Sequence, residues 1–323
     1  MPPWVYEKEF RSAAQQALEG LTSINRSQKA AIARACLQGV TLWQGPPGTG
    51  KTRTLLGLME VLVRAAGREG VNIGKILAVA DTNAAVDNLV EGLAARGIRV
   101  LRWGRAAKTR PSCVPHTMEA MVDRSPELRA VRPLREELSA LKLEIDRLPE
   151  GPERGELMAR RRQVMDDIRR LEKAARETVL GWAQVVCSTC NSCADLPGDY
   201  KIVVMDEATQ ATEPSSLIPL TRGAMMVVMA GDQKQLPPTV ISQAAVSAGL
   251  NLPLFERLIR QGLEYTLLDT QYRMHPAIME FPSGAFYGGL LRSGVPEEAR
   301  PVPKVGTARR LGPFVPCSTR RPR

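Results

Sequence analysis

The sequence contains no long apolar run. No stretch of 18 apolar residues occurs in its 323 residues, which excludes an ordinary membrane-spanning helix. The first residues, Met1 to Lys8, also lack the apolar core of a signal peptide. We therefore expect an intracellular protein of the cytoplasm or nucleus, without membrane contact. Its six cysteines are then expected to be thiols rather than disulfides.

A fourth cysteine at metal-binding spacing is also missing. Cys187, Cys190 and Cys193 follow one another at a spacing that occurs in some zinc and iron–sulfur sites. Such a site needs a fourth ligand, and neither Cys113 nor Cys317 lies at a suitable distance along the chain. We therefore favour a strand end followed by a polar turn over a metal centre.

Positive charge exceeds negative charge by ten, but much of the excess lies at the end of the chain. From Arg292 onward, eight Lys or Arg stand against two Glu, so residues 1–291 carry a net charge of only +4. Residues 292–323 are rich in Pro, Arg and Gly without periodicity, and we expect them to be disordered. Charge alone is therefore weak support for a nucleic-acid groove in the folded part, and the motifs must supply it.

One glycine-rich stretch predicts a phosphate-binding loop. It reads Gly45-Pro46-Pro47-Gly48-Thr49-Gly50-Lys51-Thr52 and matches the pattern G-x-x-x-x-G-K-[ST]. Residues 40–44 before it are predicted to form a buried strand, and residues 54–65 after it a helix. The glycines let backbone N–H groups face a phosphate, Lys51 can reach the β- and γ-phosphates, and Thr52 can bind Mg²⁺. We predict a nucleoside triphosphate site rather than a glycine-rich turn formed by chance.

Two carboxylates follow another predicted strand. Asp206 and Glu207 come directly after the apolar residues 202–205. A P-loop enzyme needs an Asp at this place to hold Mg²⁺, and an adjacent Glu can polarise the attacking water. Gln28, ahead of the first strand, can read adenine through its amide donor and acceptor, although it could equally be a surface glutamine.

Other predicted strands also end in polar residues, which is where parallel sheets place their ligand contacts. These strands are residues 75–80, 99–103, 183–187, 225–230 and 263–268. Thr82 and Asn83 follow the first of these, and they could contact a nucleic-acid backbone or cap the next helix; their spacing favours the cap. His275, just before Pro276, is expected to fix a turn rather than to act as a base.

Residues 105–180 interrupt the alternation of strands and helices. Apolar residues at a/d spacing occupy one face of a first helix, and residues 149–152 interrupt the pattern before a second charged run. These apolar residues are Leu134, Leu138, Leu141, Ile145 and Leu148. The pattern predicts a projecting helical hairpin, with each arm about 25–30 Å long at 1.5 Å per residue. The arginine-rich stretch 154–170 could contact nucleic acid, but a solvated face is the favoured interpretation.

The motifs together resemble those of superfamily 1 helicases of the Upf-like branch. The segments that carry the resemblance are GPPGTGKT, ADTNAAVDNLV, VVCSTC, VVMDEATQ, AGDQKQLPPT and LDTQYRMHP, within about residues 21–291. The resemblance implies a RecA-like α/β fold with a mostly parallel sheet, and an ATP-dependent helicase that moves along single-stranded RNA or DNA. In this branch a helical insertion like residues 105–180 lies within the first motor domain.

The resemblance also implies a role for each motif residue. Residues implied to hold ATP are Gln28, the loop from Gly45 to Thr52, Gln210 and Tyr272. Residues implied to hold Mg²⁺ are Thr52 and Asp206. Residues implied to act in hydrolysis are Lys51, Glu207, Gln235 and Arg273, with Gln210 and Gln235 sensing the γ-phosphate. Residues implied to line the single-strand track are Thr82, Asn83, Ser188 and Thr189.

The expected organisation follows from these motifs and from the length, which suits two domains or one large domain with an insertion. It comprises an N-terminal helix in residues 1–20, a RecA-like domain in 21–262, the start of a second such domain in 263–291, and the tail. A complete motor of this kind has two RecA-like domains, so we expect a truncated form with faint ATP turnover. The alternative function is a non-catalytic, ATP-dependent nucleic-acid-binding module.

Overall fold

A seven-stranded sheet forms the centre of the molecule. The computed structural model describes residues 2–105 and 108–299, and every pairing within this sheet is parallel. The strands are β1 (Val40–Gln44), β2 (Ile76–Ala80), β3 (Val100–Arg102), β4 (Val185–Thr189), β5 (Ile202–Met205), β6 (Met226–Gly231) and β7 (Tyr265–Leu267). Their order across the sheet is β3-β4-β2-β5-β6-β1-β7. The predicted α/β fold with a mostly parallel sheet is confirmed.

Helices connect the strands and cover both faces of the sheet. They are α1 (Lys8–Glu19), α2 (Arg26–Ala35), α3 (Lys51–Glu69), α4 (Asn83–Ala94), α5 (Met118–Val122), α6 (Pro126–Ile145), α7 (Pro152–Trp182), α8 (Glu213–Leu220), α9 (Gln243–Ser247), α10 (Leu254–Arg260) and α11 (Pro276–Phe286). Within the described ranges, no helix is long and apolar enough to cross a membrane.

The strands are apolar along their whole length because both faces of the sheet are covered. In β2, Ile76 and Ala78 pack into the core on the side of α1 to α4, whereas Leu77 and Val79 pack into the core on the opposite side. This alternation is the two-residue period of a β-strand, with each face meeting a helix layer.

Local signals in the sequence explain where several helices begin. Asn25 caps α2 in a capping box with Gln28, and Thr82 caps α4 by accepting a hydrogen bond from the backbone of Ala85. His275 caps α11 through Nδ1, which accepts from the Ala277 N–H at 3.2 Å. Thr82 therefore acts as the favoured cap, and His275 fixes the start of a helix.

The predicted helical hairpin is present as α6 and α7. Its seam is a small core of its own, made of Val131, Leu141, Val164 and Ile168. With 20 residues, α6 is about 30 Å long, as expected, but α7 has 31 residues and spans about 46 Å. The C-terminal end of α7 extends beyond the hairpin to Trp182, and its Val179 and Leu180 pack into the core of the main sheet.

The strand predicted to open a second RecA-like domain belongs to the first sheet instead. β7 lies in parallel beside β1, with Leu42 opposite Tyr265 and Gln44 opposite Leu267. The predicted boundary between residues 262 and 263 is therefore wrong. An apolar strand pattern does not show which sheet the strand joins, because its hydrogen-bonding partners are distant in the sequence.

A small C-terminal unit follows β7. It consists of β8 (Thr270–Gln271), α11 and β9 (Arg292–Ser293), and its two strands pair in parallel. The disordered tail was predicted to begin at residue 292. This start is wrong, because Arg292 and Ser293 form β9 and pair with β8. The prediction of disorder for residues 300–323 lies outside the described residues.

Candidate nucleotide site and nucleic-acid edge

Three loops meet at one edge of the sheet. The P-loop follows β1, Asp206 follows β5 and Asp232 follows β6, and these three strands are neighbours in the order β5-β6-β1. The loops also touch each other, because the Gly45 N–H donates to the Gly231 carbonyl at 2.9 Å. The carboxyl ends of parallel strands are the usual ligand site of such sheets.

The P-loop leaves no room for side chains where its glycines lie. A methyl group on Gly45 would lie 2.1 Å from Lys51 Cγ, and one on Gly50 would lie 2.8 Å from Gln28 Nε2. Gly48 and Gly50 also adopt left-handed φ angles of 78° and 79°, which favour glycine. The Lys51 ammonium donates to the Gly45 carbonyl at 2.9 Å, at the N-terminus of α3. A glycine cradle with a buried ammonium at a helix N-terminus fits a phosphate group.

Thr52 and Asp206 form a hydroxyl–carboxylate pair beside this cradle. The Thr52 hydroxyl donates to Asp206 Oδ2 at 2.6 Å, and the Glu207 N–H donates to Asp206 Oδ1 at 3.0 Å. Oxygen atoms of this kind are the ligands that Mg²⁺ prefers, so the pair fits a magnesium ion. Asp206 is 1% exposed, and this burial raises the pKa of its carboxyl to about 6, while the Thr52 hydrogen bond opposes the rise.

Glu207 is held close to the P-loop lysine. Its carboxylate lies 3.5 Å from the Lys51 ammonium. Within the described residues, Glu207 is the one non-glycine residue with a left-handed φ, at 49°. Such backbone strain in a non-glycine residue is often found at functional sites.

Gln28 and Tyr272 both contact the P-loop backbone. The Gln28 amide donates to the Thr49 carbonyl at 2.9 Å and accepts from the Asn25 N–H at 3.1 Å. The Tyr272 N–H donates to the Gly48 carbonyl at 2.9 Å, and its hydroxyl accepts from Asn25 Nδ2 at 2.8 Å. The amide expected to read adenine therefore already has protein partners, and its role in base recognition stays a prediction.

The remaining residues predicted for hydrolysis lie at different distances from the loop. Arg273 packs directly on it, because a methyl group on Gly48 would lie 2.4 Å from Arg273 Cβ. Gln235 donates to Asp232 Oδ2 at 2.7 Å. Gln210 has an exposed side chain, and only its backbone is tied to the site, by a 2.8 Å hydrogen bond to the Glu207 carbonyl. The structure thus brings Arg273 to the P-loop and leaves the Gln210 side chain in solvent.

The residues predicted to line a single-strand track lie on the neighbouring half of the same edge. β2 and β4 are adjacent, with Ala80 opposite Thr189, so Thr82 and Thr189 share this edge. Asn83 Oδ1 accepts from the Arg102 guanidinium at 2.7 Å. Ser188 is fully buried, and its hydroxyl donates to the Thr189 carbonyl at 3.1 Å. Its side chain therefore does not reach the surface where a strand would lie.

The three closely spaced cysteines lie in a strand and the turn after it. Cys187 belongs to β4, and Cys193 lies in a short 3₁₀ turn. Burial raises the pKa of the Cys190 thiol to about 12 and that of Cys193 to about 11, which disfavours the thiolate that a metal needs. No cluster of three or more His, Cys, Asp or Glu suited to a metal occurs in the part of the chain that the structure describes.

Several residues of the site were not predicted from the sequence. Asp232 follows the end of β6 as Asp206 follows β5, so the rule that polar residues end buried strands indicates its loop but assigns Asp232 no role. Gln44, Arg102 and Tyr287 carry no such signal. Their importance comes from contacts with residues far away in the sequence, such as the buried ion pair of Arg102 and Asp87 at 3.2 Å.

The fold and the site define a class of protein. A parallel sheet with a P-loop after one strand and an acid pair after another is the arrangement of a P-loop NTPase with a RecA-like core. Two family models, each described as an AAA domain, match residues 23–243 and residues 250–321. The chain belongs to this AAA domain family, and its motifs resemble those of the Upf-like branch of the superfamily 1 helicases.

Curated relatives agree with this membership. The chain is 38% identical over 280 residues to a regulator of nonsense transcripts 1 homolog from Arabidopsis thaliana, covering 85% of this chain and 21% of that protein. It is 36% identical to the ATP-dependent helicase NAM7 of Saccharomyces cerevisiae, covering 89% of this chain and 28% of the relative. It is also 36% identical to the DNA-binding protein SMUBP-2 of Mus musculus, over 84% of this chain and 28% of that protein. The chain spans about a quarter of the length of these relatives.

Proposed function

We propose that the chain binds ATP with Mg²⁺ at its P-loop and hydrolyses it as part of an intracellular helicase that moves along single-stranded RNA or DNA. The observation that carries this proposal is the Thr52–Asp206 pair at 2.6 Å, next to the Lys51–Glu207 pair at 3.5 Å. A magnesium-binding acid, a phosphate-binding lysine and a second acid are thereby within one small volume. The names of the relatives, which include an ATP-dependent helicase and a DNA-binding protein, support the same function.

Binding of the nucleotide would use side chains that form hydrogen bonds or ion pairs with other protein groups in this structure. The Lys51 ammonium, which lies between the Gly45 carbonyl and Glu207, would turn to the β- and γ-phosphates. Thr52 and Asp206 would hold Mg²⁺, which neutralises charge on the phosphates. Tyr272, whose backbone N–H donates to the Gly48 carbonyl, would stack on the base.

Hydrolysis would depend on acid–base and electrostatic help from three residues. Once Lys51 has turned to phosphate, the Glu207 carboxylate is left to orient the attacking water and accept its proton. Arg273, which packs on Gly48, would stabilise negative charge on the γ-phosphate, and Gln235 would sense that group.

Thr82, Asn83 and Thr189 would contact the backbone of the single strand on the adjoining part of the edge.

Substitution of the P-loop lysine tests the nucleotide site. We expect Lys51→Ala to weaken Mg²⁺–ATP binding by at least about tenfold, because it removes the charged donor that faces the phosphates. Isothermal calorimetry on the whole chain measures the effect. Lys142→Ala, an exposed lysine on α6, is the matched control and should bind like the parent protein. Binding of the Lys51→Ala protein as tight as that of the parent would show the proposal to be wrong.

ATP turnover separates the helicase from a non-catalytic binding module. Faint phosphate release, stimulated by single-stranded RNA or DNA, is expected from the parent chain and not from Glu207→Gln, which keeps the size of the side chain but loses the base. If the parent and Glu207→Gln bind ATP equally and release phosphate equally slowly, the chain acts as a binding module.

A further inference from the structure

Asp232 is a buried carboxylate on which several segments of the chain converge. Its Oδ2 accepts from Gln235 Nε2 at 2.7 Å and from the Tyr287 hydroxyl at 2.7 Å. Its Oδ1 accepts from Gln44 Nε2 at 3.3 Å and from the Lys234 N–H at 3.1 Å. Gln44 immediately precedes the P-loop, whereas Tyr287 is the C-cap residue of α11 in the C-terminal unit. One side chain therefore joins the phosphate loop, the loop after β6 and the C-terminal unit.

The hydrogen-bond donors to the Asp232 carboxylate are neutral amide and hydroxyl groups. Asp232 is 1% exposed, and a buried carboxylate that loses a donor incurs a desolvation cost. The Tyr287 hydroxyl stays protonated and can donate to Asp232. Burial, together with the hydrogen bond to Asp232, raises the pKa of this hydroxyl above its usual range.

Gln235 and Tyr287 share one oxygen of Asp232, but they differ in exposure to solvent. Gln235 belongs to an exposed loop and can swing its amide away, whereas Tyr287 is buried. If Gln235 leaves, Oδ2 keeps the Tyr287 hydroxyl as a donor. If the Tyr287 hydroxyl were absent, Gln235 would be the one side-chain donor to Oδ2. Release of Gln235 would then leave this buried oxygen without a side-chain donor, which costs free energy.

We propose that Tyr287 is a positioning residue that lets Gln235 exchange Asp232 for the γ-phosphate of bound nucleotide. Its hydroxyl satisfies Asp232 while the Gln235 amide is away, and it links that exchange to the C-terminal unit. This inference rests on the proposed ATP site. Tyr287 should therefore affect how strongly the site prefers a nucleoside triphosphate over a diphosphate. A residue that only stabilised the fold would not change this preference.

The test compares Tyr287→Phe with the parent chain. Phe keeps the buried ring and removes only the hydroxyl, so Gln235 becomes the only side-chain donor to Oδ2 and is held more tightly. We expect the preference for the non-hydrolysable analogue AMP-PNP over ADP, measured as the ratio of dissociation constants, to fall by about threefold or more. In a Gln235→Ala background, Tyr287→Phe should leave this ratio unchanged.

Tyr200→Phe is the matched control, because Tyr200 is also buried but lies before β5, at the opposite end of the sheet. It should leave the ratio at the parent value. A thermal melt of each variant verifies folding. As a measurement on the unaltered chain, hydrogen exchange of residues 276–291 should differ between the AMP-PNP and ADP complexes.

The outcomes distinguish this inference from the proposed function. A parent chain that binds both nucleotides, with the same ratio in Tyr287→Phe, overturns the role of Tyr287 alone. Equal hydrogen exchange of residues 276–291 in the AMP-PNP and ADP complexes also overturns the role of Tyr287 alone. A parent chain that binds neither nucleotide overturns the ATP site and this inference together.

Discussion

Burial determines the acid–base behaviour of Asp206. The buried position at the end of β5 disfavours the charged carboxylate, so its pKa in the folded protein rises from 3.8 to about 6. Since the folded pKa is above the unfolded value, this group stabilises the fold fully below about pH 3.8. The stabilisation is lost as the pH rises through about 6. Asp206, the acid that we propose to hold Mg²⁺, therefore lowers the stability of the metal-free protein at neutral pH.

This behaviour predicts a pH-dependent difference from Asp206→Asn, which cannot ionise. In EDTA, lowering the pH from about 7.5 to about 4.5 should raise the free energy of unfolding of the parent, relative to the variant, by about 2 kcal/mol. Urea unfolding at several pH values measures it. The hydrogen bond that Asn loses is a constant offset and cancels in the comparison. A difference that does not change with pH would contradict the raised pKa.

At the scale of elements, the hairpin of α6 and α7 is stabilised by its own seam. The surface ion pairs along it, such as Arg135 with Glu172 at 2.7 Å, contribute little because they are exposed. The apolar seam is separate from the two cores that flank the sheet. The hairpin should therefore loosen without disturbing the nucleotide site.

Leu141→Ala tests this independence. Leu141 is 8% exposed in the seam, so its truncation should cost the hairpin about 2 kcal/mol or more. Hydrogen exchange should become faster in α6 and in the outer part of α7, while Mg²⁺–ATP affinity stays at the parent value. Leu143→Ala, on the same helix but 60% exposed, is the control and should alter neither. Loss of ATP binding in Leu141→Ala would show that the hairpin supports the site.

At the scale of the whole molecule, positive charge is unevenly distributed. Residues 300–323 contain seven Lys or Arg and no acidic residue. The net charge of the full chain is +10, so this end accounts for most of the excess. Lysines and arginines that neutralise phosphates release counterions, which makes binding salt-dependent.

Removal of residues 300–323 should therefore flatten the salt dependence of single-strand binding. Each lost phosphate contact should reduce the slope of log affinity against log salt by about 0.7. Fluorescence anisotropy with a labelled oligonucleotide at several salt concentrations measures the slope. A tail of the same length with its seven Lys and Arg replaced by Gln should behave like the deletion. An unchanged slope would place the electrostatic contacts in the folded part of the chain.

The sequence by itself determined the parts of this protein that depend on local pattern. The P-loop, the acid pair after an apolar strand and the seam of the hairpin could all be predicted, because each depends on residue type at short spacing. The strand positions were right to within a few residues, since strands buried on both faces are continuous apolar runs. The prediction that Thr82 caps a helix also held, because a cap is a contact over three residues.

Only the tertiary structure decided which distant residues meet. The strand at residues 265–267 joined β1 rather than a second sheet, although its sequence fits either. Ser188 was buried within β4, and Asp232 met Tyr287 across 55 positions of sequence. These contacts depend on how loops and helices bring strand ends together in space. No local pattern carries that information, because the hydrogen-bonding partner of a buried polar group is chosen by the whole fold.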